Sequence, residues 1–168
     1  DDVKIVLSAN IGPRDDGYAP EAQMSATQAE AYHAEQIGVL ADTKVEVISG
    51  YTLTYAAEAI GIVNAARAVG LPVVIAFTVE TDGNLPTGQP LGEAIELVDR
   101  DTGGYASYFM INCAHPDHFG QILDDAPWVG RLRGLVANAS RCSHAELDEA
   151  EELDDGNPAE LGQELADL

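Results

Sequence analysis

The chain reads as short apolar runs separated by longer segments with helical spacing, and the two alternate from end to end. "VKIVLSANI" (3–11) is a continuous apolar run rich in β-branched residues, the pattern of a buried strand. "SATQAEAYHAEQIGVLAD" (25–42) opens with Ser25 and Gln28 at capping-box spacing and continues with helical periodicity. "KVEVISG" (44–50) predicts a second strand, and "TYAAEAIGIVNAARAVG" (54–70) a second helix closed by Gly70. "LPVVIAFTVE" (71–80) predicts a third strand, with Pro72 at its start. "LGEAIELVDRDTGG" (91–104) follows as a helix, then "SYFMINC" (107–113) as a fourth strand. "HPDHFGQILDDAP" (115–127) predicts a short helix and "LRGLVANAS" (132–140) a fifth strand. "HAELDEAEELDDG" (144–156) and "PAELGQELADL" (158–168) predict closing helices. The polar stretches "GPRDDGYAP" (12–20) and "TDGNLPTGQP" (81–90) predict loops.

Strands that are apolar throughout, alternating with helices, predict a parallel sheet covered by helices. Two architectures fit, an open doubly wound sheet and a TIM barrel. A complete barrel needs eight βα units and about 250 residues; roughly five units are present in 168 residues. Neither a GxGxxG nor a GxxxxGK[ST] motif follows the first strand, so the usual mark of a nucleotide-binding open sheet is missing. No linker divides residues 1–168, which read as one domain.

Polar residues gather where the strands end: Ser8 and Asn10, Tyr51 and Thr52, Thr78 and Glu80, Asn112 and Cys113, Asn138 and Ser140. In parallel α/β folds those ends form the working face. Cys113 is thereby predicted on the rim; from position alone, a small buried hydrophobe is the competing reading.

Eight basic residues stand against 29 acidic ones, a net charge of -21. Such a surface repels phosphate backbones and anionic lipids and argues against nucleic-acid and membrane partners. The acid is densest toward the C-terminus and reads as a solvated surface; lysine occurs only at Lys4 and Lys44, which fits a high-salt habitat. No apolar stretch nears the roughly 18 residues a bilayer span needs. The start lacks a basic leader, so the cytoplasm is the expected compartment. Cys113 and Cys142 form no CxxC pair, no HExxH occurs, and no disulfide framework is expected. His115 and His118 flank Cys113 and form with it a conceivable metal set by ligand type. His118 is expected on a helix surface, and His33 and His144 on helix faces.

In this order, "SANIGPRDDGY", "EAIGI", "FTVETDGNLPTGQPL", "INCAHP" and "NASRCSHAELDE" resemble the homocysteine S-methyltransferase family over essentially the whole chain. The resemblance implies a (β/α)8 barrel that moves a methyl group from a small-molecule donor to the sulfur of homocysteine or a similar thiol. It also implies Zn2+ on three cysteines, one in an "INC"-like motif and two in a "GGCC" motif. Cys113 matches the first of these; Cys142 matches none and reads as an incidental thiol. Asn112, Tyr51 and Thr52 are the implied substrate-binding residues. Tyr51 occupies a position where many members carry an acid, which changes the charge offered to the acceptor. No "GGCC" precedes Leu168 and no "DGGMGTEL"-like strand follows Asp1, so the chain is expected to be the third to seventh units of a barrel. With one thiolate it would hold zinc weakly. Two bare sheet edges predict self-association. A non-catalytic barrel remnant that binds partners is the alternative to an enzyme.

Overall fold

A computed structural model describes residues 3–18, 22–123 and 125–168. The predicted loop 12–20 and helix 115–127 therefore include positions outside the described residues. Five parallel strands form one sheet in the order β1 (Ser8–Ile11), β2 (Val47–Leu53), β3 (Val73–Phe77), β4 (Tyr108–Asn112), β5 (Leu132–Val136). The order is sequential and never reverses. A doubly wound sheet reverses at its switch point, so the topology decides for the barrel type.

Between the strands run α1 (Ala26–Ala41), α2 (Ala56–Ala68), α3 (Leu91–Thr102) and the single turn α4 (Pro116–Phe119), with α5 (His144–Asp148) and α6 (Pro158–Asp167) after β5. The capping box at the start of α1 is present, with Ser25 Oγ accepting from the Gln28 N–H and the Gln28 side chain accepting from the Ser25 N–H. Gly70 follows α2 at φ 75°, as a helix-ending glycine should.

Alternate strand positions face opposite ways. Ile48, Leu53, Val73, Ile75, Phe77, Phe109 and Ile111 join Ile62, Val63, Ile95 and Val98 of the helices in one core. Phe77 and Phe109 lie with nearly parallel rings, centroids 6.2 Å apart. The intervening positions are more polar: Ser8 and Ser49 hydroxyls meet at 2.8 Å, and the Tyr51 hydroxyl donates toward Met110 Sδ at 3.8 Å. The sheet thus has a helix-covered apolar face and an opposite face that carries polar groups.

Several boundaries differ from the sequence expectation. β1 begins only at Ser8, because residues 3–7 run past the start of β2 at Val47; Val3, Ile5 and Val6 are exposed. β2 lies three residues later than expected and includes Tyr51 and Thr52, since its pairing with β3 resumes at Leu53 after an irregularity. The predicted helix 115–127 breaks into α4 and 3-10 turns at Gly120–Ile122 and Pro127–Arg131. The helix predicted at 144–156 stops at Asp148, where further acidic residues would oppose the negative end of the helix dipole. The strands are also not buried throughout: β3 is, but the edge strands β1 and β5 are largely accessible.

Candidate active site

Cys113 stands at the C-terminal end of β4 and adopts φ 55°, a left-handed backbone that non-glycine residues rarely take. Its neighbours hold that conformation. The Cys113 N–H donates to the Val136 carbonyl at 3.0 Å, and the His144 Nε2–H donates to the Cys113 carbonyl at 2.8 Å. Strain of this kind concentrates where a side chain must be aimed.

Asn112 is the other half of the arrangement. It is buried, and its amide uses both hydrogens, on Thr52 Oγ1 at 2.9 Å and on Cys113 Sγ at 3.1 Å. Its Oδ1 accepts from the Thr52 N–H at 3.0 Å. Thr52 is itself left-handed, φ 59°, so Asn112 ties two strained residues of β2 and β4 together across β3. The sequence-predicted residues Thr52, Asn112 and Cys113 therefore form one bonded chain. Tyr51 lies beside it, lining with Asn10, Ile11, Gly12, Thr52 and Val136 a pocket of about 390 Å³.

Three further residues complete the site. Tyr18, from the β1–α1 loop, packs its ring on His144 with centroids 4.2 Å apart, which brings it beside Cys113. Burial, then the nearby Cys113 thiol and the Asp148 and Asp16 charges, raise the Tyr18 hydroxyl well above the ordinary phenol range. His144 Nδ1 lies 3.3 Å from Glu80 Oε1, so Glu80, beyond β3, orients the ring that supports Cys113. The sulfur thus receives a donor from Asn112, with Tyr18 packed nearby on His144. Glu80 was visible as a strand-end acid. His144 and Tyr18 were not, although "SHAE" marks a capped helix start that fixes His144, and Tyr18 closes the quoted "GPRDDGY".

All four histidines are buried, which corrects the expectation that His118 lies on a helix surface; His33 and His144 lie on faces of α1 and α5, as expected, and those faces are buried. Each has a partner of its own. His118 Nε2 donates to the Arg141 carbonyl at 2.9 Å, and His115 Nδ1 accepts from the Asp117 N–H at 3.2 Å as the cap of α4. Burial followed by the Arg141 charge holds His115 below the usual imidazole range. Neither turns toward the thiol to form the conceivable Cys113, His115, His118 set. Among the described residues, the His/Cys/Asp/Glu group whose ligand atoms converge is His115, Asp117 and Glu164. There the Arg141 guanidinium already contacts Asp117 and Glu164. Cys142 belongs elsewhere: its N–H donates to Ser140 Oγ at 3.1 Å and its sulfur lies 3.9 Å from Asp154.

The sequence pattern defining homocysteine S-methyltransferase matches residues 2–167. The chain belongs to the homocysteine S-methyltransferase family. Its fold is also similar to crystal structures of the homocysteine methyltransferase MmuM from Escherichia coli, at 18% identity. The apo form aligns with TM-score 0.58 over 85% of this chain and 61% of that one, and the metallated form with 0.60 over 85% and 59%. The oxidized form aligns with 0.55 over 78% and 53%. The family member thus spans less than two thirds of those structures. Comparison with curated proteins finds no match. The five strands are an arc of consecutive βα units of a barrel of that type.

The family resemblance implies zinc, and a metallated form of MmuM exists. The residues described here do not complete a zinc site: Cys113 offers one sulfur, and among the described residues no other group of ligand atoms converges on it. No described helix is long and apolar enough to cross a membrane.

Proposed function

We propose that this chain forms the acceptor side of a methyltransferase that methylates the sulfur of homocysteine or a similar thiol, giving methionine or a related thioether. One observation carries the reading. Cys113, the cysteine that matches the family's motif, is held in a strained backbone at a strand end, and Asn112 ties its sulfur to Thr52, which lines an open pocket. In the reaction the acceptor sulfur loses its proton, forms a bond to the methyl carbon, and the donor departs without its methyl group. A thiol is mostly protonated at neutral pH and needs help to react.

The chain's own residues supply positioning. Asn112 donates to Cys113 and fixes the sulfur, while Glu80 and His144, with Tyr18 packed on the His144 ring, fix its peptide. Tyr51 and Thr52 line the pocket where an acceptor can lie. The uncharged Tyr51 offers a hydrogen bond rather than a negative charge, so an acceptor ammonium gains less there. The resemblance assigns Cys113 as one zinc thiolate. Since affinity comes from several converging ligands, residues 1–168 by themselves should hold zinc weakly and be an incomplete barrel domain acting in the cytoplasm.

The test is methyl transfer from a labelled methylsulfonium donor to homocysteine, by the polypeptide as its gene encodes it. Cys113→Ala should abolish transfer and Cys142→Ala should leave it nearly intact. Full activity in Cys113→Ala would end the reading.

A second reading, a non-catalytic module that self-associates, is favoured by the two sheet edges. Val3, Ile5, Val6 and Leu7 are exposed beside β1, as are Leu135 and Val136 in β5. Unpaired edges and exposed apolar side chains are association surfaces.

A further inference from the structure

We propose that the buried Glu58–His33 pair is a latch for the β1–α1 loop, and that through it Glu58 positions Tyr18 on His144, over Cys113. This rests on Cys113 as the working thiol of the proposed reaction.

Glu58 lies in the first turn of α2, wholly buried, in a helix whose other buried positions are alanine, isoleucine, valine and glycine. A carboxylate in such a place is costly unless its partners compensate. For packing alone, an apolar residue would serve. The partners show what the carboxylate does instead. Its Oε1 meets the His33 Nε2 of α1 at 2.9 Å and accepts the backbone N–H of Arg14 at 2.7 Å. His33 is as buried as its partner. The second oxygen, Oε2, is buried without a hydrogen-bond partner among the described residues. A residue selected to bind two helices together would use both oxygens. Here one oxygen carries the helix contact and the loop contact together.

The loop needs such an anchor. Residues 12–18 are glycine, proline, arginine, aspartate and tyrosine, with Asp15 at φ 65°. Nothing apolar in residues 12–17 would draw it onto the sheet. It is fastened at Arg14 by Glu58, and farther along Tyr55, at the start of α2, accepts the Met24 N–H at 3.2 Å. Arg14 Nη2 bridges to the Ala22 carbonyl at 2.6 Å. Between these points Gly17 lies so close to Thr52 that an added Cβ would stand 3.0 Å from its methyl group. The next residue is Tyr18, packed on His144, whose Nε2–H holds the Cys113 carbonyl. A continuous path therefore runs from the buried pair, through the Arg14 amide, Gly17 and the Tyr18 ring, to His144 and Cys113. In this role Glu58 and His33 are positioning residues and touch no reactant.

The test follows the alkylation of Cys113 by iodoacetamide, with Cys142 in the same molecule as the control, each read by peptide mass spectrometry. It needs no metal and no methyl donor, so its outcome is independent of whether methyl transfer occurs. Glu58→Ala should raise the Cys113 rate about tenfold by freeing the loop, with Cys142 within about twofold of the parent. Tyr18→Ala should raise it to the same extent, and the double variant should show no further rise. Glu58→Gln keeps an acceptor oxygen for the Arg14 amide and should restore the parent rate. If Glu58→Ala fails to fold, Arg14→Pro removes the latch's N–H donor together with the Arg14 side chain and should expose Cys113. Arg14→Ala keeps that N–H and should leave the thiol protected. Unchanged Cys113 reactivity in Glu58→Ala or Arg14→Pro, or equal rises at both cysteines, would overturn the latch. A doubled effect in the Glu58/Tyr18 pair would overturn its action through Tyr18.

Discussion

Removing the Asn112 side chain should loosen the site more than any surface change. Asn112→Ala deletes three hydrogen bonds, to the Thr52 N–H, Thr52 Oγ1 and Cys113 Sγ. Net contributions run about 0.5–1.5 kcal/mol each, the bond to sulfur at the low end, so a loss of about 2–4 kcal/mol is expected. The bonds also hold Thr52 at φ 59° beside Cys113 at φ 55°, and conformations of this kind persist only when their surroundings enforce them. Asn112→Asp keeps the acceptor for the Thr52 N–H and lets the Thr52 hydroxyl turn to donate. It loses the donor to sulfur, about 0.5 kcal/mol, and adds the cost of a buried carboxylate, so a total of roughly 1–3 kcal/mol is expected. Urea unfolding followed by circular dichroism measures both, with an unchanged slope confirming that the native state itself has lost stability. A loss below about 0.5 kcal/mol for Asn112→Ala would refute the idea that Asn112 binds β2 to β4.

Three other outcomes are expected. Gly61→Ala places a Cβ 2.4 Å from Ala29 Cβ and 2.5 Å from the Glu30 nitrogen, where α1 crosses α2; overpacking should outweigh the gain in helix propensity and lower the melting stability by about 1–2 kcal/mol. Burial and the nearby Glu58 raise the Tyr55 hydroxyl above its ordinary range. Its stabilising contribution is therefore complete below about pH 10 and is lost as pH rises from there through the folded value, a slope that Tyr55→Phe should flatten in alkaline melts. At neutral pH that variant should lose about 1 kcal/mol with the Met24 bond. A net charge of -21 opposes contact between the exposed edges, so sedimentation should show oligomers growing with salt, and a monomer at every ionic strength would count against edge pairing.

The βα rhythm was legible because each strand is a short apolar run and each helix has its own start or stop signal. Ser25 with Gln28, and Gly70, are local features, and both appear in the structure as read. Boundaries failed where pairing decides them. Nothing in "VKIVL" says that the neighbouring strand begins only opposite Ser8, and nothing in "GYTL" says that pairing resumes at Leu53 beyond Thr52. Within the site, Asn112, Cys113 and Thr52 could be read because strand ends face one rim. The roles of Tyr18, His144 and Glu58 depend on contacts between residues 25 to 126 positions apart, which no local pattern carries. His118 misleads for the same reason: a polar ring on a short helix is buried once a distant carbonyl satisfies it.

The central claim is that Cys113, rather than Cys142, is the sulfur that serves the reaction centre. Cobalt substitution tests it most directly, because a cobalt–thiolate bond has its own charge-transfer absorption and replaces zinc at such sites. In the polypeptide as its gene encodes it, the band should appear in the parent and in Cys142→Ala, and should be lost or strongly weakened in Cys113→Ala along with methyl transfer. An undiminished band in Cys113→Ala, or its loss in Cys142→Ala, would contradict the account.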